Sequence, residues 1–468
     1  MKTLTSLLPH QQAAVDHLRR LKVGALFMDM GTGKSRTVLE LAAIRTGKWD
    51  RIFWFCPVSL QRTIYQQVLE HTDIAPNDIC LWGPRKINHR AMVHVIGIES
   101  MSSSNRLVCE YAALVTFESF VIVDESSLIK GHTSLRSTRI TDLSAKARYR
   151  YILNGTPLTE GVVDLFAQMR FLSTEILGYN SFYGFAANHL EYRQRTLKSG
   201  RKVRTKQIVR SHDTDVIADK IAPYVYQVKK DDCLSLPDKL YETRWFSMTH
   251  EQRALYDQTK ERMLIDCELH EWDSTTIFRL FTALQTITCG WLSQGETKTV
   301  PHNRTDLLLD VVSEIPDDER VIIWAKYRRS IDEISSALSA EYSPECVHPF
   351  HGDCSRFERD AAIDKWRQHG RFLVATHGVG GRGHTWNEAA YSIFYADGFR
   401  YEDRLQSEDR NHRIGQTRRP TYITLRCSDS IDERIAKAHD RKSDVIDDFV
   451  RDVRTATSDG KKYDKKKF

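Results

Sequence analysis

The stretch MGTGKS, residues 30–35, has the residue types and spacing of a phosphate-binding loop. Gly31 and Gly33 would let successive backbone N–H groups converge on phosphate oxygens, and the N-terminus of a following helix would add partial positive charge. Lys34 could reach the β and γ phosphates of a nucleotide, and the hydroxyl of Ser35 could ligate Mg²⁺. The sequence therefore predicts a site for a nucleoside triphosphate and its metal ion.

One residue departs from the strict pattern GxxxxGK[ST]. Met28 stands where that pattern has its first glycine, which is the least demanding position of the loop. A glycine turn between a strand and a helix is the alternative interpretation. Since an apolar run precedes the loop and a helical pattern follows it, we favour phosphate binding. The predicted contacts come from Met30, Gly31, Thr32, Gly33, Lys34, Ser35 and Arg36.

An acidic pair follows the apolar run FVIV. Asp124 and Glu125 would lie at the carboxyl end of a buried strand, where ligands bind in open α/β sheets. Asp124 could hold Mg²⁺ through its water shell, and Glu125 could orient or deprotonate an attacking water. An acidic helix start is the alternative. Together with the upstream loop, the pair favours nucleotide hydrolysis.

A third set of candidate residues lies in DRLQSEDRNHRIGQ, far along the chain. Gln406, Arg410 and Arg413 are spaced i, i+4 and i+7, which predicts that they share one helix face. Two arginines could stabilise charge on a transferring γ-phosphate. The alternative is a solvated helix face on which Asp409 and Arg413 form a pair that contributes roughly 0.2–0.5 kcal/mol.

Short apolar runs alternate with amphipathic helical stretches in the first and last thirds of the chain. Such alternation indicates parallel sheets flanked by helices. The stretch 240–295 is predicted to be largely helical. The fold class is therefore α/β, with two such units and a helical insertion between them. The predicted strands are residues 24–30, 51–56, 92–98, 120–124, 149–153, 320–327, 371–377, 391–397 and 421–427.

The composition places few limits on function. The 468 residues carry a net charge of +6, from 68 basic and 62 acidic residues, which permits nucleic-acid binding without requiring it. Nine cysteines without a CxxC pair, and an N-terminus without an apolar signal core, predict a reducing intracellular compartment. No apolar run approaches the roughly 18 residues of a membrane span. Cys346, His348, His351 and Cys354 have zinc-like spacing, but a strand and turn explain them better.

Along nearly its whole length the chain resembles superfamily-two helicase-type motors, and specifically the Swi/Snf-type double-stranded DNA translocases. LPHQQAAVDHL resembles the family's glutamine motif, MGTGKS and VDESSLIKG its first two motifs, and FCPVSLQRTIYQQV and LNGTPLTEG its DNA-contacting and coupling motifs. RVIIWAKY and FHGDCSRFERDAAIDKW resemble early motifs of its second lobe. The last two motifs are matched by ATHGVGGRGHTWNEAAYSIFYADGFRYEDRLQSEDRNHRIGQ.

The resemblance implies two RecA-like lobes that bind ATP and Mg²⁺ between them. Gln11 would contact the adenine side, and Gly381, Arg410 and Arg413 would contact the nucleotide from the second lobe. Ser35 and Asp124 would hold Mg²⁺, and catalysis would depend on Glu125, Lys34, Arg410 and Arg413. DNA would be bound mainly through its phosphates, so that binding is salt-sensitive and independent of sequence.

The same resemblance divides the chain into five segments. They are lobe 1 (residues 1–178), a basic insertion with a linker (179–235), a helical segment (236–300), lobe 2 (301–453) and a basic disordered tail (454–468). The insertion contains LKSGRKVR, which could form a hairpin around Ser199-Gly200, and its basic residues are expected to contact DNA rather than only solvent. These basic residues are Arg193, Arg195, Lys198, Arg201, Lys202, Arg204, Lys206 and Arg210.

Two segments depart from the family pattern. Ser126 and Ser127 replace the Ala-His that often follows Asp-Glu, so that the contacts of this histidine are absent or replaced. The linker keeps Lys229 but has Tyr226 and Gln227 in place of paired arginines, which puts its regulatory bracing in doubt.

The expected function is a DNA-stimulated ATPase that translocates along duplex DNA or remodels DNA or protein–DNA complexes. The alternative is a strand-separating or strand-annealing helicase on branched DNA. A small-molecule P-loop kinase would need only one lobe, and an inactive scaffold is disfavoured because the catalytic residue types are present. We expect an intracellular, DNA-associated protein without a membrane partner, cytoplasmic in a bacterial or virus-infected host and nuclear in a eukaryote.

Overall fold

The chain separates into two compact units, Met1–Ser235 and Leu236–Phe468. Each unit contains its own parallel sheet with helices, so the predicted α/β class with two sheets is confirmed. The computed structural model describes residues 1–84, 86–155, 162–196, 202–270, 272–294, 296–380 and 385–457.

The strands of the first unit form where β-branched and aromatic residues are concentrated, as in FVIVD and IFWFC. Among the described residues these strands are β1 (Val23–Met28), β2 (Ile52–Cys56), β3 (Ile79–Leu81), β4 (Val93–Gly97), β5 (Phe120–Asp124), β6 (Tyr149–Asn154), β7 (Leu190–Thr196), β8 (Lys202–Ser211) and β9 (Val225–Val228). The main sheet has the order β3-β4-β2-β5-β6-β1-β9, and all of its neighbours are parallel.

Helices cover both faces of this sheet. Alternate residues of β1 pack into two separate apolar clusters, with Ala25 and Phe27 in one and Leu26 and Met28 in the other. The described helices are α1 (Pro9–Leu18), α2 (Lys34–Ala43), α3 (Gln61–His71), α4 (Ser100–Ser103), α5 (Asn105–Leu114), α6 (Leu135–Ser144), α7 (Val163–Leu172), α8 (Thr174–Leu177), α9 (Phe182–His189), α10 (Thr214–Ile221) and α11 (Lys230–Cys233).

The second unit is built on a six-stranded sheet and a helical cluster. Its described strands are β10 (Leu240–Phe246), β11 (Trp291–Gln294), β12 (Glu296–Thr299), β13 (Arg320–Ala325), β14 (Val347–Phe350), β15 (Phe372–Thr376), β16 (Ala389–Phe394) and β17 (Thr421–Cys427). The sheet order is β10-β17-β16-β13-β15-β14, again with parallel neighbours, and β11 pairs with β12 in a hairpin.

Helices of the second unit both flank this sheet and pack on one another. Apolar residues of α12 and α13 join those of α19 and α20 in one buried cluster, which includes Phe281 and Phe449. The described helices are α12 (His250–Leu269), α13 (Ser274–Thr288), α14 (Arg304–Ser313), α15 (Arg328–Glu341), α16 (Arg356–Gln368), α17 (His377–Gly380), α18 (Tyr401–Glu408), α19 (Ile431–Asp440) and α20 (Val445–Thr457).

The prediction that residues 240–295 are largely helical is confirmed by α12 and α13, but both ends of this stretch are strands. β10 is an edge strand that pairs with β17 from Leu240 to Phe246, and β11 begins at Trp291. β10 is mostly exposed, so its sequence LYETRWF lacks the apolar run that reveals a buried strand. Only its long-range partner β17 determines its conformation.

The basic segment of the first unit forms a hairpin, as predicted. β7 and β8 pair in antiparallel fashion, with Thr196 opposite Lys202 at the end nearest the turn. The turn predicted at Ser199-Gly200 lies outside the described residues. In the described part of the chain, no helix has the length and apolar character needed to cross a membrane. All nine cysteines are free thiols.

Candidate nucleotide-binding site

The predicted phosphate loop connects β1 to α2 in the first unit. Gly31 and Gly33 have φ angles of 80° and 87°, in the left-handed region that favours glycine. A Cβ atom on Gly33 would lie 2.1 Å from Nε2 of Gln11, so the close packing there also requires glycine. α2 begins at Lys34. Because the first N–H groups of an α-helix have no acceptor within the helix, the N-terminus of α2 at this loop is suited to an anion.

The ammonium group of Lys34 is held by the backbone at the end of β1. Its Nζ donates to the carbonyl of Met28 at 2.7 Å and to that of Asp29 at 3.2 Å. Met28 contributes only this carbonyl, because its side chain is buried in the apolar core. This explains how a methionine occupies the position of the first glycine in the strict pattern.

Gln11 contacts the loop directly. Its Nε2 donates to the carbonyl of Thr32 at 3.0 Å, and its Oε1 accepts from the backbone N–H of Leu8. A ring nitrogen of His10 lies 2.8 Å from the same Thr32 carbonyl. His10 was not among the predicted residues, although its position beside Gln11 was a usable signal. α1 and the loop are therefore connected by two buried side chains.

The acidic pair lies at the carboxyl end of β5, as predicted. Asp124 is buried, and its Oδ1 accepts from the backbone N–H of Glu125 at 3.0 Å. Burial raises the pKa of Asp124 to about 7, with a further increase from Glu125 and an opposing effect of the Lys34 ammonium. Glu125 has φ 52°, an unfavourable conformation for a residue with a side chain, which is often found at functional sites.

Ser126, directly after the acidic pair, bonds to α7. Its hydroxyl donates to Oε1 of Gln168 on α7 at 2.6 Å, and both side chains are buried. Nε2 of Gln168 donates to the carbonyl of Asp164, which fixes the orientation of the amide. The acidic pair is thus connected to α7. The sequence carried no local signal for Gln168.

Asp29 connects the loop to the linker segment at the end of the first unit. Its Oδ2 accepts from the backbone N–H of Lys230 at 2.8 Å, and its own N–H donates to the carbonyl of Val228 at 3.1 Å. Its carbonyl accepts from the hydroxyl of Thr32 at 2.7 Å. β9 and the start of α11 are therefore held against the loop. Asp29 was not among the predicted residues.

Arg36 directs its side chain away from the loop. Its Nε donates to the hydroxyl of Thr5 at 2.8 Å, and its guanidinium pairs with Glu40 at 2.8 Å. Only the backbone N–H of Arg36, in the first turn of α2, is therefore suited to a phosphate contact.

The two predicted arginines of the second unit do not lie on a helix, so the prediction of one shared helix face with Gln406 is wrong. α18 ends at Glu408, whose carbonyl accepts from the hydroxyl of Tyr422 at 2.9 Å. Nε of Arg410 donates to the carbonyl of Gln406 at 2.9 Å. These side chains therefore donate to backbone carbonyls that would accept from backbone N–H groups if α18 continued.

Arg410 and Arg413 differ in exposure. Arg410 is 1% exposed, whereas Arg413 is partly exposed. Nε of Arg413 donates to the backbone carbonyl of Asp409 at 2.8 Å. Gly381, predicted to contact the nucleotide, lies outside the described residues.

The residues of the first unit fit a magnesium ion by their donor type. Ser35 and Asp124 offer a hydroxyl and a carboxylate, and Mg²⁺ is usually held by one or two protein oxygens together with phosphates and water. The zinc-like set contains one close contact, 3.1 Å between Sγ of Cys354 and Nε2 of His351. No group of three or more His, Cys, Asp or Glu side chains suited to a metal occurs among the described residues.

A glycine loop after one parallel strand and a carboxylate at the end of another define a RecA-like nucleotide-binding lobe, and the second unit repeats the parallel sheet. The sequence profile of the SNF2-related domain matches residues 10–290, more than half of the chain. That of the helicase conserved C-terminal domain matches residues 303–415. The chain belongs to the SNF2-related family and has two RecA-like lobes.

Curated relatives are longer than this chain. The ATPase CHR17 of the ISWI chromatin-remodeling complex of Arabidopsis thaliana is 25% identical over 335 residues, which cover 68% of this chain and 29% of the relative. Chromodomain-helicase-DNA-binding protein 1-like of Danio rerio is 21% identical over 464 residues, which cover 92% of this chain and 42% of the relative. The Hef helicase domain of Pyrococcus furiosus shares the fold, with a TM-score of 0.52 and 12% sequence identity. The match covers 92% of this chain and 97% of the Hef domain.

Proposed function

We propose that the chain is an ATP-dependent DNA motor that couples ATP hydrolysis to movement along duplex DNA or to remodelling of DNA or protein–DNA complexes. The observation that carries the proposal is the packing of Gln11 and Lys34 around one loop. Gln11 lies against Gly33, and Lys34 is held at the end of β1, where its positive charge opposes the rise in the pKa of Asp124.

The proposed chemistry assigns a role to each group. Backbone N–H groups of the loop and the Lys34 ammonium bind the phosphates. Ser35 and Asp124 would hold Mg²⁺, which neutralises phosphate charge when bound. Glu125 orients the attacking water and accepts its proton. Arg410 and Arg413 stabilise charge that develops on the γ-phosphate.

DNA is the proposed track. The names of relatives include chromatin remodeling and DNA binding, and the β7–β8 hairpin carries a concentration of basic residues. Contacts to phosphates need no particular base sequence, which suits a protein that moves along DNA. We also propose that residues 179–235 act as insertion and linker, that residues 236–300 lead into lobe 2 (301–453), and that residues 454–468 form a basic tail.

The direct test replaces Lys34. Lys34→Ala removes the charge that neutralises the β and γ phosphates, so we expect ATP turnover to fall by roughly 100-fold or more, while duplex DNA affinity without nucleotide stays within about twofold. ATPase rates and fluorescence anisotropy of labelled DNA provide the two measurements. Lys86→Ala, at an exposed lysine of the same unit, is the control. Normal turnover in Lys34→Ala would reject the nucleotide site.

A further inference from the structure

A basic groove lies between α1 and α2 of the first unit. We call it the α1–α2 groove, a cavity of about 510 Å³ that also includes the residue preceding β6. Its carboxylates are those of Asp16 and Glu40. Its cationic residues are Arg19, Arg20, Lys22, Arg45, Lys48 and Arg148.

The groove lies at the opposite edge of the sheet from the nucleotide site. Lys22 directly precedes β1 and Arg148 directly precedes β6, so both mark the amino ends of parallel strands. The phosphate loop and Asp124 mark the carboxyl ends. α2 starts at the loop and ends beside Lys48, and thus connects the two edges. The groove is a separate feature from the site described above.

Both carboxylates of the groove already have partners. Asp16 pairs with Arg19 at 3.2 Å. Glu40 pairs with Arg36 at 2.8 Å and accepts from the hydroxyl of Thr3 at 2.9 Å. They therefore neutralise little of the remaining positive charge.

One cation has a structural role. Arg45 is buried and donates to the carbonyls of Leu18 at 3.1 Å and Leu21 at 2.7 Å, at and just beyond the end of α1. Its guanidinium lies 5.4 Å from the centre of the Tyr149 ring. Carbonyls at a helix C-terminus carry partial negative charge and attract cations, and Arg45 meets this need. The other cationic residues of the groove are not needed to satisfy these carbonyls.

Four cations remain for an external anion. Arg20, Lys22 and Lys48 are exposed, and among the described residues none of them pairs with a carboxylate. Arg148 lies 5.3 Å from the Tyr149 ring, and its Nε is buried without a hydrogen-bond partner among the described residues. Charges of one sign in a concave site with a low-dielectric floor concentrate ions of the opposite sign.

We propose that the α1–α2 groove binds the phosphodiester backbone of duplex DNA, as a contact separate from the nucleotide site. The side-chain amide of Gln12 in this groove donates to Asp16 at 3.2 Å, and the remaining lysine and arginine side chains are typical of backbone contacts. A protein partner would need an apolar or aromatic centre. The apolar and aromatic lining consists of Val15, Leu21, Ile44 and Tyr149, of which only Ile44 is substantially exposed, at 46%.

The test uses site-specific crosslinking, which does not depend on ATP turnover. Ile44→Cys is modified with a photoreactive azidophenacyl group in a background in which the accessible cysteines are replaced by serine. These are the exposed Cys109 and the partly exposed Cys233, Cys346 and Cys354. The probe is a fluorescent 20-base-pair duplex, without nucleotide. We expect a crosslink at this position well above that of Leu135→Cys, a 59% exposed position on α6 of the same unit.

Charge removal provides the second arm. Arg20→Gln with Lys48→Gln should lower the Ile44→Cys crosslink yield roughly tenfold, because two phosphate contacts are lost. The control is the matched pair Lys86→Gln with Arg90→Gln, at exposed residues of the same unit. It should leave the crosslink yield unchanged. Circular dichroism checks that all variants are folded.

Three results would overturn the proposal. The first is a crosslink at Ile44→Cys no stronger than at Leu135→Cys. The second is an equal loss of crosslink yield in the two double charge variants. The third is that poly-glutamate competes with the labelled duplex for crosslinking at a lower concentration of charge than unlabelled duplex does. The last would identify an acidic protein segment as the occupant. The crosslink should persist in Lys34→Ala, so failure of this proposal and failure of the proposed function are distinguishable.

Discussion

Single residues in this protein owe their charge state to packing as much as to chemical type. Asp124 and His94 are both buried in the first unit, and burial raises the pKa of the carboxyl and lowers that of the imidazole. His94 lies on β4, accepts from Nε1 of Trp82 at 3.0 Å and stacks on Phe53. Its role is structural, and it should make the first unit sensitive to acid.

Burial, with a contribution from the Arg51 guanidinium, lowers the pKa of His94 to about 4 from 6.5. Between these values the unfolded chain binds a proton that the folded protein does not, so stability is lost as the pH falls. We expect the free energy of opening of β3 and β4 to drop by about 2 kcal/mol between about pH 7 and about pH 5. Amide hydrogen exchange in these two strands, corrected for the pH dependence of the intrinsic exchange rates, measures this free energy of opening.

His94→Asn is the control for this prediction. An amide oxygen can still accept from Trp82 but does not titrate in this range. The variant should be less stable at neutral pH than the wild type. Its free energy of opening should nevertheless change much less between about pH 7 and about pH 5. If the wild-type strands open equally at both pH values, His94 is not the acid-sensitive group.

At the scale of elements, one buried guanidinium joins several parts of the second unit. Arg304, at the start of α14, is fully buried and forms a salt bridge with Asp432 of α19. It also donates to the carbonyl of Thr288 at 3.2 Å, to that of Tyr395 and to that of Leu425 at 3.4 Å. These acceptors belong to α13, to the end of β16 and to β17, so the helical cluster is fixed to the sheet.

Removing Asp432 should be costly because it leaves the Arg304 charge buried without its counterion. We expect Asp432→Ala to lower the free energy of unfolding of the second unit by about 3–5 kcal/mol. Cys289 and Cys427 are buried thiols of this unit. The urea dependence of their labelling, followed for each cysteine separately by peptide mass spectrometry, therefore reports on the second unit apart from the thiols of the first.

An ion pair with a solvated carboxylate provides the comparison. The carboxylate of Asp317 is 93% exposed and pairs with the buried Arg371 at 2.7 Å. Asp317→Ala should cost less than about 1 kcal/mol, since water screens this carboxylate and Arg371 still donates to the carbonyls of Ile315 and Pro316. Equal effects of the Asp432 and Asp317 substitutions would show that Arg304 does not organise the unit.

At the scale of the whole molecule, the proposed motor needs both units and a DNA track. The matched family regions extend from residue 10 to residue 290 and from 303 to 415, and so include both units. The chain corresponds to 29% and 42% of the two relatives described above. Activity of the chain itself therefore has to be measured directly.

We expect duplex DNA to stimulate ATP turnover more strongly than single-stranded DNA or RNA. Because contacts to phosphate displace bound cations, the DNA concentration for half-maximal stimulation should rise roughly 100-fold or more between about 50 and about 200 mM salt. ATPase rates with duplex, single-stranded and forked DNA and with RNA measure both effects. Equal stimulation by RNA would contradict duplex tracking, whereas unwinding or annealing of the fork would favour the helicase alternative.

The central strands and the phosphate loop were predictable because their information is local. Buried parallel strands need continuous apolar runs, and the loop needs glycine at Gly31 and Gly33 followed by Lys34, whatever the rest of the chain does. The acidic pair Asp124-Glu125 could be placed at a strand end by the same argument. The hairpin arms around the basic turn were also predicted.

The remaining features depend on partners that are distant in sequence. β10 is a strand only because β17 lies beside it, and α18 stops at Glu408 where the hydroxyl of Tyr422 takes its carbonyl. The bond from Ser126 to Gln168 and the contact of Asp29 with Lys230 likewise join separated segments. The sequence alone determined the two lobes and the position of the glycine loop. Tertiary structure decided where edge strands form, where helices end and which polar groups meet, because these depend on long-range hydrogen bonds that no local pattern encodes.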